Sequence, residues 1–220
     1  MAQNALQRTL GPRLEVPAGN FVVLDFEATC SNGPGPIQVP RNEMEVIEIG
    51  AIAVNEDLEP ISEFARFVHP VRHQILSDFC TELTTITQAD VDEAEPFYQV
   101  AAEMALWAAE HEISWWGSWG KYDRSQLTQD VQFHRVPDPL PQPHFNIKEA
   151  FTARQSIKRR LGLGGAVKLA GLEFEGTAHR AISDTRNIVR VLPFVLGDQL
   201  TPRSNFAPVD VEERVSKRKS

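Results

Sequence analysis

Residues Phe21–Cys30 read FVVLDFEATC, an apolar run that ends in two acidic residues. Residues 21–24 are apolar and mostly β-branched or aromatic, a composition typical of a short buried strand. Asp25 and Glu27 follow two positions apart, so an extended backbone directs both carboxylates to one face. Two such carboxylates at the end of a core strand repel each other and lose hydration, which a hard divalent cation between them would offset. The alternative is that the strand simply ends here and both acids are solvated.

The apolar patterns after this stretch predict an α/β layer fold. Val46–Val54 and Ile61–Val68 have the composition of two more strands, and three consecutive strands favour an antiparallel half-sheet. Helical spacing and one further strand follow, at 97–111 (helix), 112–119 (strand), 121–133 (helix) and 179–196 (helix). Consecutive strands followed by alternating helix and strand indicate a mixed β-sheet flanked by α-helices.

Glycine, proline and short polar residues mark where these elements begin and end. Segments 31–42 and 136–144 are rich in proline and are predicted to be loops. Ser77, Thr87 and Asn146 precede helical patterns and are predicted N-caps, because their side-chain oxygens can accept hydrogen bonds from the first free amides of a helix.

Length and composition limit the classes of protein that fit. The 220 residues suit one domain at 19–197, with a flexible arm at 1–18 and a flexible tail at 198–220. A net charge of -8 argues against a general nucleic-acid coat protein. Two distant cysteines, Cys30 and Cys80, exclude a disulfide framework and a thiolate zinc site, and they fit a reducing cytoplasm. No apolar run approaches the roughly 20 residues that span a bilayer, and the N-terminus lacks a secretory signal, so we expect no membrane association.

Two later segments carry acids at places where a sheet and a helix meet. Asp123 follows a strand and two glycines and falls in the first turn of a predicted helix, where it could equally serve only the helix dipole. His179 and Asp184 are five residues apart, so within one helix they would lie about 140° apart on the helical wheel. They converge if His179 lies before the helix and Asp184 one turn inside it. A solvated histidine at a helix start is the alternative.

These segments together supply four acids and one histidine. Four carboxylates with a nearby base are the groups needed to hold two divalent metals and to activate water. Mg²⁺ accepts oxygen ligands and keeps several waters, so few protein ligands per ion suffice. Histidine, with a solution pKa of about 6.5, can accept a proton near neutral pH.

The three segments resemble the Exo I, II and III motifs of the DEDDh 3′–5′ exonucleases, which have an RNase H-like fold. The nearest resemblance is to the branch that contains the histone-mRNA exonuclease, the Eri-1 proteins and KapD-type bacterial exonucleases. The matching stretches cover about 21–196 and read LDFEATC, EVIEIGAI, FVHPVRHQILSDFCTELTTIT, SWGKYD and FEGTAHRAISDTRNI. The chain departs from the family pattern at two positions. Relatives often have glycine in place of Thr85 and an acidic residue in place of Ser183.

The resemblance implies a site and a reaction. Asp25, Glu27, Asp123 and Asp184 would hold two Mg²⁺ or Mn²⁺ ions, and His179 would deprotonate the attacking water. Nucleoside 5′-monophosphates would leave one at a time from the 3′ end.

It also implies substrate-binding residues. Ala28, Thr29 and Cys30 would meet the terminal sugar, and Phe79 and Leu83 would stack on the last base, with core packing as the alternative for those two side chains. Trp119 is a further candidate for substrate binding, with a place in the core or at its rim as the alternative.

The resemblance favours RNA over DNA as the single-stranded substrate with a free 3′ end. A DNA-directed exonuclease of the same fold stays open, because nothing in the sequence reads a 2′-hydroxyl unambiguously. A regulator that keeps the fold but only binds a protein partner is the third hypothesis. The complete set of acids and histidine speaks against it, since a binding module does not need them.

Overall fold

Five strands form one mixed sheet at the centre of the fold. The structure is a computed structural model that describes residues 9–33 and 35–202. The strands are β1 (Phe21–Ala28), β2 (Val46–Val54), β3 (Pro60–Phe67), β4 (Trp115–Ser118) and β5 (His144–Asn146), in the spatial order β3-β2-β1-β4-β5. The β1–β2 and β2–β3 pairs are antiparallel, whereas β1–β4 and β4–β5 are parallel. The predicted antiparallel half-sheet and mixed sheet are confirmed.

Seven α-helices within the described residues cover the two faces of this sheet. They are α1 (Asp78–Thr84), α2 (Gln88–Asp92), α3 (Phe97–Glu110), α4 (Tyr122–His134), α5 (Ile147–Arg154), α6 (Leu163–Leu169) and α7 (Ala181–Val191). A short 3-10 turn at Arg41–Glu43 lies between β1 and β2, and a second one at Leu192–Phe194 follows α7. None of the helices in the described part of the chain has the length and apolar character needed to cross a bilayer.

Alternate residues of β1 face two separate cores, as expected for a strand buried on both faces. Phe21 and Val23 pack in a cluster with α5, α6 and α7. Val22, Leu24 and Phe26 pack in a second cluster with α3 and α4. Asp25 and Glu27 therefore follow the first of these faces, the one that α7 covers.

The predicted caps are confirmed, and the predicted bounds need small corrections. Ser77 and Thr87 accept hydrogen bonds from the backbone amides of Cys80 and Asp90, and Asn146 does so from Glu149. The segment predicted as a loop to residue 144 ends in β5, because His144 already pairs with Trp116 of β4. The predicted helix at 179–196 begins only at Ala181 and gives way to the 3-10 turn at 192–194, which contains Pro193.

The described part of the predicted arm lies against the domain. Residues 9–18 form no helix or strand, but Leu14 and Val16 pack against the core cluster beneath α5–α7. The amide of Gly11 donates to the carbonyl of Arg154 at 2.7 Å. Apolar side chains and this hydrogen bond thus connect the described residues 9–18 to the domain. Residues 1–8 and 203–220 lie outside the described residues, and the boundaries at 19 and 197 stay a prediction.

Candidate active site

The first two acids lie at the end of β1, where its neighbours diverge. Asp25 and Glu27 project from one face, and Glu27 is buried while Asp25 is partly exposed. The parallel pairing of β1 with β4 ends at Val23, so the amide of Phe26 has no strand partner on that side. The Asp123 carboxylate accepts a hydrogen bond from this amide at 3.3 Å. The third acid is therefore held in the cleft that opens between β1 and β4.

The fourth acid is positioned by a close approach of α7 to β2. Gly50 lies opposite Asp25 in the sheet, and a Cβ on Gly50 would lie 2.3 Å from both the carbonyl carbon of Ala181 and the amide nitrogen of Ile182. Only glycine permits this contact without a shift of the backbone. The Thr185 hydroxyl donates to the Gly50 carbonyl at 2.8 Å, which fixes the first turn of the helix over the strand.

A buried ion pair ties the same helix to β2 from the side. Glu48, opposite Glu27, is 4% exposed and accepts hydrogen bonds from the Arg180 guanidinium at 2.9 to 3.2 Å. It also accepts one from the Ala181 amide at 2.9 Å. Sequence analysis gave no role to Glu48 or Arg180. One signal was present, since Glu48 is the single charged residue in the strand VIEIGAIAV.

His179 and Asp184 converge because the histidine precedes the helix. His179 has a left-handed backbone with φ of 60°, and its amide donates to the Asp184 carboxylate at 3.3 Å. Ligand atoms of Glu27, His179 and Asp184 all lie within 4.8 Å of one another. His179 and Asp184 therefore lie close together, which a continuous helix from residue 179 would have prevented.

The pKa values of the four acids reflect their crowding. Burial raises the pKa of Asp25 well above its usual range, and repulsion by Asp123, Glu27 and Asp184 raises it further. Burial, then repulsion by Asp184 and Glu48, raises the pKa of Glu27 to about 8.

The other two acids shift less. Burial raises the pKa of Asp123 to about 6, although a hydrogen bond from Ser118 opposes the shift. Burial also raises the pKa of Asp184 to about 6, although the neighbouring His179 and its backbone amide lower it. Because each of these shifts is dominated by burial and three acids also feel their neighbours' charges, a bound cation would stabilise all four ionised forms at once.

The predicted substrate-binding residues fall into three groups. Ala28 and Thr29 are buried at the end of β1, and the backbone and hydroxyl of Thr29 are paired with Glu45. Cys30 is partly exposed, and its carbonyl accepts a hydrogen bond from the Ser77 hydroxyl at 2.5 Å. These residues link the end of β1 to the start of α1.

Phe79 and Leu83, both on α1, are partly exposed and belong to none of the three buried clusters among the described residues. Phe79 instead lines a cavity of about 220 Å³ beside the loop at 31–37. Their role as substrate-binding residues stays a prediction.

Trp119 makes its contacts with the protein interior. Its indole N–H donates to the Leu161 carbonyl at 3.1 Å, and its ring lies 5.7 Å from that of Phe151. These contacts match the alternative in which Trp119 packs at the rim of the core.

Comparisons with known proteins agree with this geometry. The exonuclease family model (RNase_T) matches residues 22–192. Mouse ERI1 exoribonuclease 2 is 32% identical over 199 residues, which cover 80% of this chain and 28% of that protein. Human 3′-5′ exoribonuclease 1 is 30% identical over 192 residues, which cover 83% of this chain and 54% of that protein. The chain thus matches about a quarter to a half of the length of these relatives.

Two solved structures share the fold. The nuclease domain of 3′hExo, described as a DEDDh family member bound to rAMP, is 27% identical with a TM-score of 0.72, and the match covers 84% of this chain and 97% of that one. A 3′-exonuclease structure described by its recognition of the histone mRNA stem-loop is 28% identical with a TM-score of 0.72, covering 81% of this chain and 64% of that one. The family model matches from β1 to the end of α7, and the acids of its motifs lie together near the carboxyl end of the central strand β1. The chain therefore belongs to the DEDDh exonuclease family.

Proposed function

We propose that this protein is a divalent-metal-dependent 3′–5′ exonuclease that releases nucleoside 5′-monophosphates from single-stranded nucleic acid. One observation carries the proposal: five side chains lie together near the carboxyl end of the central strand β1, namely Asp25, Glu27, Asp123, Asp184 and His179. RNA is favoured over DNA as the substrate because the two relatives described above are named exoribonucleases.

The acids have the donor chemistry that hard divalent cations require. One oxygen of Asp184 is buried and accepts no hydrogen bond from the described residues, which leaves it free to ligate a cation. We assign Asp25, Glu27, Asp123 and Asp184 as ligands of two Mg²⁺ or Mn²⁺ ions, which prefer carboxylate oxygens. Bound there, such ions would supply positive charge to polarise the scissile phosphate and to lower the pKa of the attacking water.

His179 is assigned as the general base. A hydrogen bond from its backbone amide to the Asp184 carboxylate holds it outside the helix, and the residue itself is exposed to solvent. An imidazole nitrogen takes a proton from water as the water oxygen bonds to phosphorus. The bond from phosphorus to the 3′ oxygen of the preceding nucleotide then breaks. The departing 3′ oxygen takes a proton from solvent water, which leaves a free 3′-hydroxyl on the shortened strand.

The terminal nucleotide is expected to lie between the end of β1 and α1. Backbone and small side chains at Ala28, Thr29 and Cys30 would meet its sugar. Phe79 and Leu83 would contact its base, since aromatic and apolar surfaces bind bases of any sequence by stacking. Trp119 stays a candidate only at the rim of the core, because its indole N–H is already hydrogen-bonded.

A cytoplasmic location stays our inference from the two free cysteines.

A single cleavage assay tests the class, direction and substrate of the reaction. The full chain is incubated with 5′-labelled single-stranded RNA and with DNA of the same sequence, with Mg²⁺ and with a chelator. We expect a ladder that shortens from the 3′ end, is lost under chelation and forms faster on RNA. A faster ladder on DNA would support the DNA-directed alternative, and no cleavage of either strand would support a regulator that only binds.

A further inference from the structure

A groove lined by polar residues lies next to the first turn of α4, the turn that carries Asp123. It has a volume of about 520 Å³ and lies between α4 and the turn at Arg41–Glu43. Side-chain amides of Gln126 and Gln129 both donate to the Met44 carbonyl, at 2.9 and 2.6 Å. These bonds hold the turn at a fixed distance from the helix, so the groove is a built feature of the fold.

The lining of the groove is positively charged in a chain whose net charge is -8. Arg41 and Lys121 are exposed on its opposite walls, and Asn42 and Ser125 add uncharged donors. No acidic residue lines it, and neither cation forms an ion pair with any of the residues that the structure describes. Both charges are therefore available to a ligand.

Other cations and grooves of the molecule differ from this one. Arg186 and Arg66, for example, pair with Glu63 and Glu103 on the surface. A second groove, of about 380 Å³, is lined by Arg66 together with Asp90, Glu93, Glu95 and Glu103. A polyanion would be repelled from that acidic groove and attracted to the one beside α4.

The sequence of the helix start joins the groove to the reaction centre. Lys121 and Tyr122 line the groove, and the next residue is the candidate metal ligand Asp123. The Tyr122 hydroxyl donates to the Gln126 side chain at 3.2 Å, on the floor of the groove. A strand whose 3′ end reaches the acids would thus meet the groove immediately beyond them.

We propose that this groove binds the phosphodiester backbone of the nucleotides on the 5′ side of the one being removed. The inference rests on the proposed function and names the path of its substrate. Arg41 and Lys121 contact phosphates, which are the same in every nucleotide, so the grip does not depend on sequence. Without such a grip, four carboxylates at the reaction centre and an acidic surface would repel the strand.

The test is the salt dependence of strand binding. A fluorescent twelve-nucleotide RNA with cleavage-resistant phosphorothioate linkages at its 3′ end is titrated with the full chain in Mg²⁺, and anisotropy gives the affinity. Each phosphate contact on a single strand contributes a slope of about -0.7 to log K against log salt concentration. Combining Arg41→Ala with Lys121→Ala should make the slope shallower by about 1.4, so the wild type should lose about 25-fold more affinity over a tenfold rise in salt.

A matched control separates the groove from overall charge. Arg66→Ala with Lys168→Ala also removes two exposed positive charges, but from the acidic groove and from α6 on the other face of the sheet. The control should keep the wild-type slope, and Arg41→Lys should restore most of the slope lost in Arg41→Ala. Thermal unfolding midpoints of all variants establish that each one folds.

Three outcomes decide the matter. An unchanged slope in the folded double variant overturns the proposal, and so does an equal change in the control pair. A groove-dependent slope in a wild-type protein that cleaves neither RNA nor DNA would refute the proposed exonuclease while leaving the groove as a binding surface.

Discussion

Two groups of buried acids in this protein look alike in the sequence but are treated differently by the fold. Glu45, 2% exposed, accepts hydrogen bonds from three consecutive backbone amides, Val71, Arg72 and His73, at 2.8 to 3.0 Å. Glu48 is likewise supplied with donors by Arg180 and Ala181. At the active site, by contrast, no donor among the described residues reaches the carboxylates of Asp25 and Glu27.

The presence of donors, not the pKa, distinguishes the two groups. Burial raises the pKa of Asp130 to about 7, yet one oxygen of Asp130 accepts from the Val46 amide at 3.2 Å and the other from the Gln126 side chain at 2.7 Å. Asp184 has a lower pKa than Asp130, but one of its oxygens is buried without a partner in the described structure. A buried carboxylate whose lone pairs are filled by the protein is structural, whereas one left without donors needs a cation from solution.

The largest expected effect comes from removing an acid of the second kind. Asp25→Asn keeps the shape of the side chain but removes one of the clustered charges, so we expect cleavage to fall by at least about a thousandfold. The metal-free protein should not lose thermal stability, because the repulsion among the acids decreases. Near wild-type turnover, measured on labelled RNA, would contradict the metal-ligand assignment.

Replacing the base should slow the reaction without weakening metal binding. His179→Ala is expected to lower the cleavage rate by roughly 10²–10⁴-fold, the range for loss of one general base. Mn²⁺ affinity, measured by calorimetry without substrate, should change little, because four carboxylates remain. A large fall in Mn²⁺ affinity would instead identify His179 as a ligand, a role that its distance to Glu27 and Asp184 also permits.

An acid of the first kind should behave in the opposite way. Glu45→Ala leaves three backbone amides without their acceptor, and we expect it to lower the free energy of unfolding by about 2–3 kcal/mol, the scale of hydrogen bonds to a charged group. Urea denaturation measures this loss. Stability equal to wild type would show that solvent can replace the carboxylate and that the distinction between the two groups is too sharp.

The Mg²⁺ dependence of the unfolding midpoint, which follows from the pKa values of the acids, is the smallest expected effect. The pKa of Glu27 is raised to about 8 and those of Asp123 and Asp184 to about 6, so between pH 4.5 and 8 the folded protein binds more protons than the unfolded chain. The metal-free protein should therefore lose stability as pH rises through this window. Saturating Mg²⁺ should raise the unfolding midpoint by about 5 °C at pH 8 and by less at pH 6, where protons compete for the acids. An equal Mg²⁺ effect at both pH values, measured by scanning calorimetry, would separate the ions from these acids.

Sequence analysis located the strand and the acids because their signals are local. The run at 21–24 and the two acids after it define β1 and one half of the site, since period-two geometry depends only on neighbouring residues. The start of α7 was harder to locate. His179 fits the helical pattern in the sequence, but its backbone is left-handed and α7 begins only at Ala181. The start of the helix depends on the contacts of Ala181 with β2, which are distant in the sequence.

Contacts between distant residues are what the sequence could not specify. Glu48 and Arg180 are 132 positions apart, and the residues around either one give no sign of the other.

The departure from the family at Thr85 has a local explanation. Thr85 caps α1 in a left-handed conformation with φ of 60°, a position that favours glycine. Glycine in relatives there fits this backbone requirement.

Because Gly50 has no side chain, α7 can lie directly on β2, and this contact sets the position of Asp184. Substituting even a methyl group there would push the helix outward and carry the fourth carboxylate away from the other three, although no reacting group would have been altered. The packing of α7 on β2 and the geometry of the candidate site therefore depend on the same residue, Gly50.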